Sequence, residues 1–277
     1  MSLAVRGRAG AAMVAAVAIV LAIDWFAHTT IASLIGAGFV VALASLEFYD
    51  LAERKGLSAF KSFGVAAAVT LVLVPSLAAS GDASGAIAAL LCFVLWWIAF
   101  RLILPAQRRI GVDLTTRIAL TSIGVVYVGG MASFWIWIRL LPNGLAGIIL
   151  LIIIAKGGDV MAYFVGSVFG RHKLASSISP NKSVEGAAAN VGISMLLALL
   201  VTRMPGMPFA RPSDALIFGL VVSAAAQIGD LLESKVKRAF GAKDSSHIIP
   251  GFGGVLDVID CLLIAAPVGY LALRLWG

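Results

Sequence analysis

The chain has 277 residues, of which 61% are hydrophobic and only 13% charged, with a formal net charge of +7. Soluble domains carry about 25% charged residues, so this composition excludes a soluble globular protein and points to an integral membrane protein. The basic residues lie between apolar runs, where membrane topology explains them without nucleic acid, and Cys92 and Cys261 lie inside apolar runs, where they pack as small hydrophobes.

Apolar runs of about 18 residues or more mark membrane-spanning helices. Nine spans are predicted, at 9–23, 30–46, 62–80, 84–104, 118–140, 144–167, 186–202, 214–232 and 255–275. The fold class is therefore all-α, a polytopic membrane protein with about nine transmembrane helices. The first span is short and follows Arg6 and Arg8, as in a signal peptide. A second apolar run follows at once and no cleavage site stands out, so an uncleaved helix is expected. The sixth span is interrupted by "AKGGD", where Gly157 and Gly158 permit a helix break or the close approach of a neighbour.

Loop charge orients these spans. Arg139, Arg203, Arg211 and Arg274 fall on one side, Lys156 lies within a span, and every other one of the 21 Lys and Arg falls on the opposite side. Positive loops remain cytoplasmic, so the N-terminus is expected in the cytoplasm and the C-terminus across the membrane. Residues 1–140 carry few polar groups within their spans, and almost all the unusual chemistry follows Lys156. One membrane domain is expected, with a scaffold half over 1–140 and a catalytic half over 141–277.

Three polar clusters fall at cytoplasmic span ends. In the first, Lys156 and Asp159 stand three residues apart in an apolar run. Ionisable residues at such depth are functional by default, although a Lys–Asp pair can also serve helix packing. Beyond them come Arg171, His172 and Lys173, then "SISPNKSVEG", whose Ser177, Ser179, Asn181, Lys182 and Ser183 suit phosphate oxygens. A solvated basic loop has a similar composition. In the second, Asp230, Glu233 and Lys237 share one helical face, with Arg238 and Lys243 beyond. Basic side chains reaching to lipid phosphates would account for the cations but not for Asp230. In the third, "PGFGG" forms a turn, and Asp257 and Asp260 then begin the last span on one face. The helix dipole accounts for one such aspartate; two call for a cation.

Carboxylates combined with substrate phosphates are the usual way to hold Mg²⁺, and a divalent ion across phosphates is the shared logic of phosphoryl and nucleotidyl transfer. No GxxxxGK[ST] loop and no GxSxG elbow is present. The residues thus indicate a membrane-embedded, Mg²⁺-dependent enzyme acting on phosphates at the cytoplasmic face. A transporter also uses intramembrane charge and broken helices, but its site tends to the bilayer midplane, often between repeats.

The stretch "SKVKRAFGAKDSSHIIPGFGGVLDVID", Ser234 to Asp260, resembles the C-terminal motif of the phosphatidate cytidylyltransferases, or CDP-diacylglycerol synthases. Upstream, "GDLLES", "SPNKSVEG", "GDVMAYFVGSVFGRHKL" and "LEFYDLAERKG" are similar to further motifs of that family, in the same order. The resemblance implies conversion of CTP and phosphatidate to CDP-diacylglycerol and pyrophosphate. It implies metal binding by Asp230, Asp257 and Asp260, with Mg²⁺ and a monovalent cation such as K⁺ as cofactors. Lys237 joins them as a catalytic candidate. Asn181, Lys182, Lys237, Arg238 and Lys243 become phosphate contacts, Ser179 a substrate contact, and Asp159 and Asp244 residues that orient basic groups or line the nucleotide pocket. A homodimer in the bacterial inner membrane is also implied. Four positions depart from the pattern: Phe252 stands for a histidine, Val258 for an arginine, and Gly158 and Val160 for a serine and a threonine. These departures leave open a low-activity or non-catalytic relative, or transfer to another lipid phosphate.

Overall fold

The computed structural model describes residues 3–79, 113–176, 178–201, 209 and 211–276. Its helices are α1 (Leu3–Ala27), α2 (Ile31–Arg54), α3 (Lys61–Ala78), α4 (Leu114–Gly124), α5 (Met131–Arg139), α6 (Gly144–Phe169), α7 (Val184–Val201), α8 (Pro212–Ala239) and α9 (Val255–Trp276). A π-helical turn, Val125–Gly130, joins α4 to α5 in one continuous span. Eight helices among the described residues are long and apolar enough to cross a membrane, with α4 and α5 counted as one. The predicted span at 84–104 lies outside the described residues. The all-α polytopic reading thus holds, with one addition: strands β1 (Lys173–Ala175) and β2 (Ser179–Ser183) pair as an antiparallel hairpin between α6 and α7.

The chain divides into two compact units, the described residues of Met1–Leu140 with Phe240–Asp257, and those of Leu141–Ala239 with Val258–Gly277.

In the first unit, lipid exposure removes the usual hydrophobic drive between helices, and close packing of small residues takes its place. Tyr49 of α2 shows this. It is fully buried, its hydroxyl donates to Thr121 O at 2.9 Å, and its ring lies against Gly64 of α3 and Gly124 of α4. A Cβ on Gly124 would stand 2.7 Å from Tyr49 Cζ. At the π-helical turn, Gly129 lies against the Ala68 backbone, where a Cβ would come 2.5 Å from Cα. Phe48 packs edge-on to Tyr49 and Phe240, with ring centroids 5.5 and 6.0 Å apart. Arg117, counted among the loop charges, is in a helix. It is buried within α4, with its guanidinium 4.4 Å from the centre of the Phe60 ring. A cation over an aromatic face gains electrostatic attraction once desolvated.

Polar groups inside this unit are capped by charged side chains. Asp24, fully buried in α1, accepts the backbone N–H groups of Ala32 and Ser33 at 2.9 Å each, at the start of α2. Arg139 lies 3.9 Å from the same carboxylate and donates to Thr29 O at 2.9 Å. A helix leaves its first four N–H groups without intrahelical partners, and a carboxylate satisfies them with charge assistance.

The second unit packs α7 between α6 and α8. Glycine again sets the distances. A Cβ on Gly186 would stand 2.7 Å from Ala162 O, one on Gly219 2.7 Å from Met195 Cα, and one on Gly229 2.7 Å from Asp260 O. Helix α6 runs unbroken through "AKGGD". Of the two roles allowed to Gly157 and Gly158, the structure realises close approach: Leu197 of α7 lies against Gly157, and Asn190 and Ser194 lie against Gly158. Cys261 is buried and unoxidised.

Candidate functional site

The second unit gathers most of the predicted polar residues. Gly229 of α8 packs directly on Asp260 O and Cys261, which carries Asp230 to the first turns of α9. Asp260 is 7% exposed, and its Oδ1 accepts the Cys261 N–H at 2.6 Å. Lys156, Asp230 and Asp159 lie within electrostatic reach of Asp260, Lys156 with the opposing charge. Lys156 Nζ donates to Val258 O at 2.6 Å, and Lys182 Nζ lies 2.5 Å from Asp230 Oδ2. Three carboxylates thus face two ammonium groups, a local excess of negative charge in an apolar setting. Such an excess is costly without a further cation.

Two residues complete this cluster that the sequence reading did not single out. Asn190, buried in α7, donates from Nδ2 to Asp159 Oδ1 at 3.2 Å, and Ser194 Oγ donates to Ile154 O at 3.3 Å. Both lie against Gly158, so the glycine that replaces the family's serine makes room for the asparagine that holds Asp159. An Asn and a Ser four residues apart inside an apolar run were the available signal.

Other predicted residues lie at the margin. Ser179, Asn181 and Lys182 are on β2, with Asn181 exposed and Ser179 half-buried. His172 and the β1–β2 hairpin are held by Glu185, which accepts from the Arg171 and His172 amides at 3.2 Å each and lies 2.7 Å from His172 Nδ1. Lys237, in the last turn of α8, pairs with buried Glu233 at 2.6 Å, and Arg238 beside it is exposed. Ser177 lies outside the described residues.

Lys243, Asp244 and Asp257 group with the first unit. There Asp257 Oδ2 accepts from Ser245 N, Ser245 Oγ and Gly254 N at 2.8, 2.8 and 2.7 Å. Gly251 and Gly253 of "PGFGG" have φ of +85° and +93°, a region that disfavours other residues. Ile249 and Gly253 close the turn, with Ile249 N donating to Gly253 O at 2.8 Å. A Cβ on Gly253 would overlap Asp257 Oδ2, and one on Gly254 would overlap Ser245 Oγ and Glu47 Oε2. Lys243 is exposed and Asp244 half-buried. Glu47, on α2, was part of a quoted motif but carried no assigned role.

Among the described residues, no group of three or more His, Cys, Asp or Glu side chains forms a ready metal cage. That is compatible with Mg²⁺, which is commonly held by one or two carboxylates and completed by substrate phosphates and water. The donors at hand are carboxylate oxygens, the hard ligands this ion prefers, so the residues fit it.

Spanning helices with carboxylates and lysines gathered near the contact of α8 with α9 define a polytopic integral membrane protein with a charged cluster in its second unit. The chain belongs to the cytidylyltransferase family, whose model matches residues 5–276. It is 36% identical over 251 residues to the phosphatidate cytidylyltransferase of Pseudomonas aeruginosa, covering 86% of this chain and 87% of that one. It is 30% identical over 266 residues to the protein of that name from Synechocystis sp., covering 83% and 84%. The Bacillus subtilis protein of the same name is 38% identical over 160 residues, 56% of this chain and 58% of that one. The chain spans about half the length of several such relatives, 58% of the Bacillus subtilis protein and 47% of the Brucella abortus one.

Proposed function

We propose that this chain transfers the cytidylyl group of CTP to phosphatidate, yielding CDP-diacylglycerol and pyrophosphate at the cytoplasmic face of a bacterial inner membrane. The observation that carries the proposal is the half-exposed Lys182–Asp230 pair beside buried Asp260. It supports the reading because a lysine able to bind phosphate stands beside carboxylates able to hold a metal, in a chain of the cytidylyltransferase family.

In the proposed reaction a phosphate oxygen of phosphatidate forms a bond to the α-phosphorus of CTP. The bond from that phosphorus to the bridging oxygen of the β-phosphate breaks, and pyrophosphate leaves with the electron pair. The nucleophile is already anionic, so a general base is unnecessary. The protein's task is to position two anions and offset their repulsion. Lys182, at the edge of the cluster, exchanges part of its pairing with Asp230 for phosphate oxygens. Asn181, Ser179, Arg238, Lys237 and Lys243 supply further donors at the margin. Asn190 holds Asp159, and Lys156 is held by its bond to Val258 O.

Asp230, Asp257 and Asp260 are the proposed Mg²⁺ ligands; the family motif carries the assignment for Asp257. A K⁺ on the same carboxylates is part of the proposal. When bound, Mg²⁺ supplies charge neutralisation of the triphosphate and of the departing pyrophosphate. The N-terminus is proposed to be cytoplasmic from the loop charges, and a homodimer is proposed from the resemblance.

The test is purified protein in lipid nanodiscs with labelled CTP, phosphatidate and Mg²⁺. The expected result is labelled CDP-lipid with stoichiometric pyrophosphate. Absence of CDP-lipid with every lipid phosphate and divalent ion tried would overturn the proposal.

A further inference from the structure

Glu47 lies towards the C-terminal end of α2, three residues before Asp50, and is 3% exposed. A buried carboxylate is unfavourable unless fully hydrogen-bonded. Its partners come from about two hundred residues away. Oε1 accepts from Ser246 Oγ at 2.7 Å and Val255 N at 2.9 Å. Oε2 accepts from Ser245 Oγ at 2.9 Å and Leu256 N at 2.8 Å. Each oxygen therefore takes one hydroxyl and one backbone N–H. The two amides belong to the first two residues of α9, where no intrahelical acceptor exists.

A helix N-terminus with free amides attracts anions. Here a carboxylate of the protein already fills that place, so the start of α9 is set by α2 and is not a phosphate cradle. The Gly254 position admits no Cβ because Glu47 and Ser245 occupy the space, so the glycine serves this internal carboxylate.

Ser245 links Glu47 to Asp257. Its Oγ lies 2.9 Å from Glu47 Oε2 and 2.8 Å from Asp257 Oδ2. A hydroxyl carries one proton, so the two carboxylates share one donor, while the Ser245 and Gly254 amides hold Asp257 Oδ2 directly. Moving Glu47 would release Ser245, Ser246 and the first turn of α9 together. We infer that Glu47 is a positioning residue: it clamps the 245–256 turn from α2 and thereby fixes the orientation of the Asp257 carboxylate. Its consequence for turnover rests on the reaction proposed above; the clamp itself does not.

Glu47→Gln is the test, because it keeps the shape but turns one acceptor into a donor that faces a backbone N–H. Hydrogen exchange on the protein in nanodiscs reads the clamp without reference to activity. Protection of the Val255 and Leu256 amides is expected to fall about tenfold or more, with α3 unaffected. The Mg²⁺ dependence of CDP-lipid synthesis reads the consequence. The half-saturating Mg²⁺ concentration is expected to rise about tenfold, with KM for CTP within about twofold. Ser245→Ala provides a second route: it keeps Glu47 on the two amides, so helix-start protection is retained while the Mg²⁺ requirement rises. Unchanged protection in Glu47→Gln overturns the clamp. Lost protection with unchanged Mg²⁺ dependence in an active enzyme overturns the link to Asp257. If Glu47→Gln does not fold, an unchanged Mg²⁺ requirement in Ser245→Ala overturns the link. A wild-type protein that makes no CDP-lipid sinks the proposed reaction instead, and the exchange data then decide the clamp alone.

Discussion

Gly158→Ser restores the residue type usual in the family, and the structure predicts that it harms this protein. A Cβ at Gly158 would stand 2.6 Å from Ser194 Oγ and 2.8 Å from Asn190 Cγ, and closer still to Asn190 Oδ1. Contacts under 3.0 Å require a neighbour to move, and Asn190 and Ser194 are 1% and 0% exposed, with no solvent to move into. Overpacking of this kind costs about 1–3 kcal/mol. Displacing Asn190 also removes its 3.2 Å hydrogen bond to Asp159, and a hydrogen bond to a charged group contributes about 1.5–3 kcal/mol. The expected destabilisation is therefore about 2.5–6 kcal/mol. It should be measured by equilibrium unfolding in mixed detergent micelles, in the wild-type background and in Asn190→Ala. Removing the asparagine side chain vacates the space, so the serine should cost at least about 1 kcal/mol less there, a coupling expected of residues in contact. Equal cost in the two backgrounds, or a cost below about 0.5 kcal/mol in the wild type, would refute the reasoning.

Asp230→Asn should lower kcat by about 100-fold or more, since even outer residues of a metal site contribute 10–100-fold; single-turnover CDP-lipid formation checks this. Lys182→Met should raise KM for the phosphate substrates about tenfold, the scale of one charge-assisted hydrogen bond, with the protein still folded because the ion pair it breaks is half-exposed. Gly253→Ala should destabilise the first unit by at least about 1–2 kcal/mol, because φ is +93° and the new methyl meets Asp257 Oδ2; thermal unfolding reads it. Phe252→His with Val258→Arg should raise turnover if the missing imidazole and guanidinium limit the rate, and an unchanged rate in steady-state assay would show that they do not.

What was legible in the sequence follows from the range of the interactions concerned. Hydropathy is a local property, so the spans could be read directly, and eight of them recur among the described residues. The Asp230 and Asp260 pairing was legible as a motif, but its geometry depends on Gly229 allowing α8 to touch α9, which no single stretch reveals. Lys156 and Asp159 stood out because charge in an apolar run is rare. Their partners did not: Asn190 lies 31 residues beyond Asp159, and Val258 lies 102 beyond Lys156. Arg117 was read as loop charge because hydropathy assigns every arginine to water. Its burial rests on the Phe60 ring, which only the fold supplies. Strands β1 and β2, three and five residues long, are too short to carry a pattern.

The glycine turn before Asp257 shows why one motif can serve two demands. Read alone, "PGFGG" suits the approach of a phosphate, because glycine exposes backbone amides. In the folded first unit Phe252 N and Gly253 N donate to Ile249 O, Gly254 N to Asp257, and the next two amides, Val255 N and Leu256 N, to Glu47. The junction of this turn with α9 is therefore an internal anion site, filled by the protein's own carboxylates. Filling it has a mechanistic merit. A helix start neutralised from within has little attraction left for external phosphates. Phe252, at the tip of the same turn, is 43% exposed, with its ring against Gly10 of α1. An apolar side chain there is consistent with a turn whose work is to hold Asp257 and not to bind phosphate itself. On this reasoning a histidine at 252 adds a phosphate donor to the turn without disturbing the clamp, whereas any side chain at 254 breaks it.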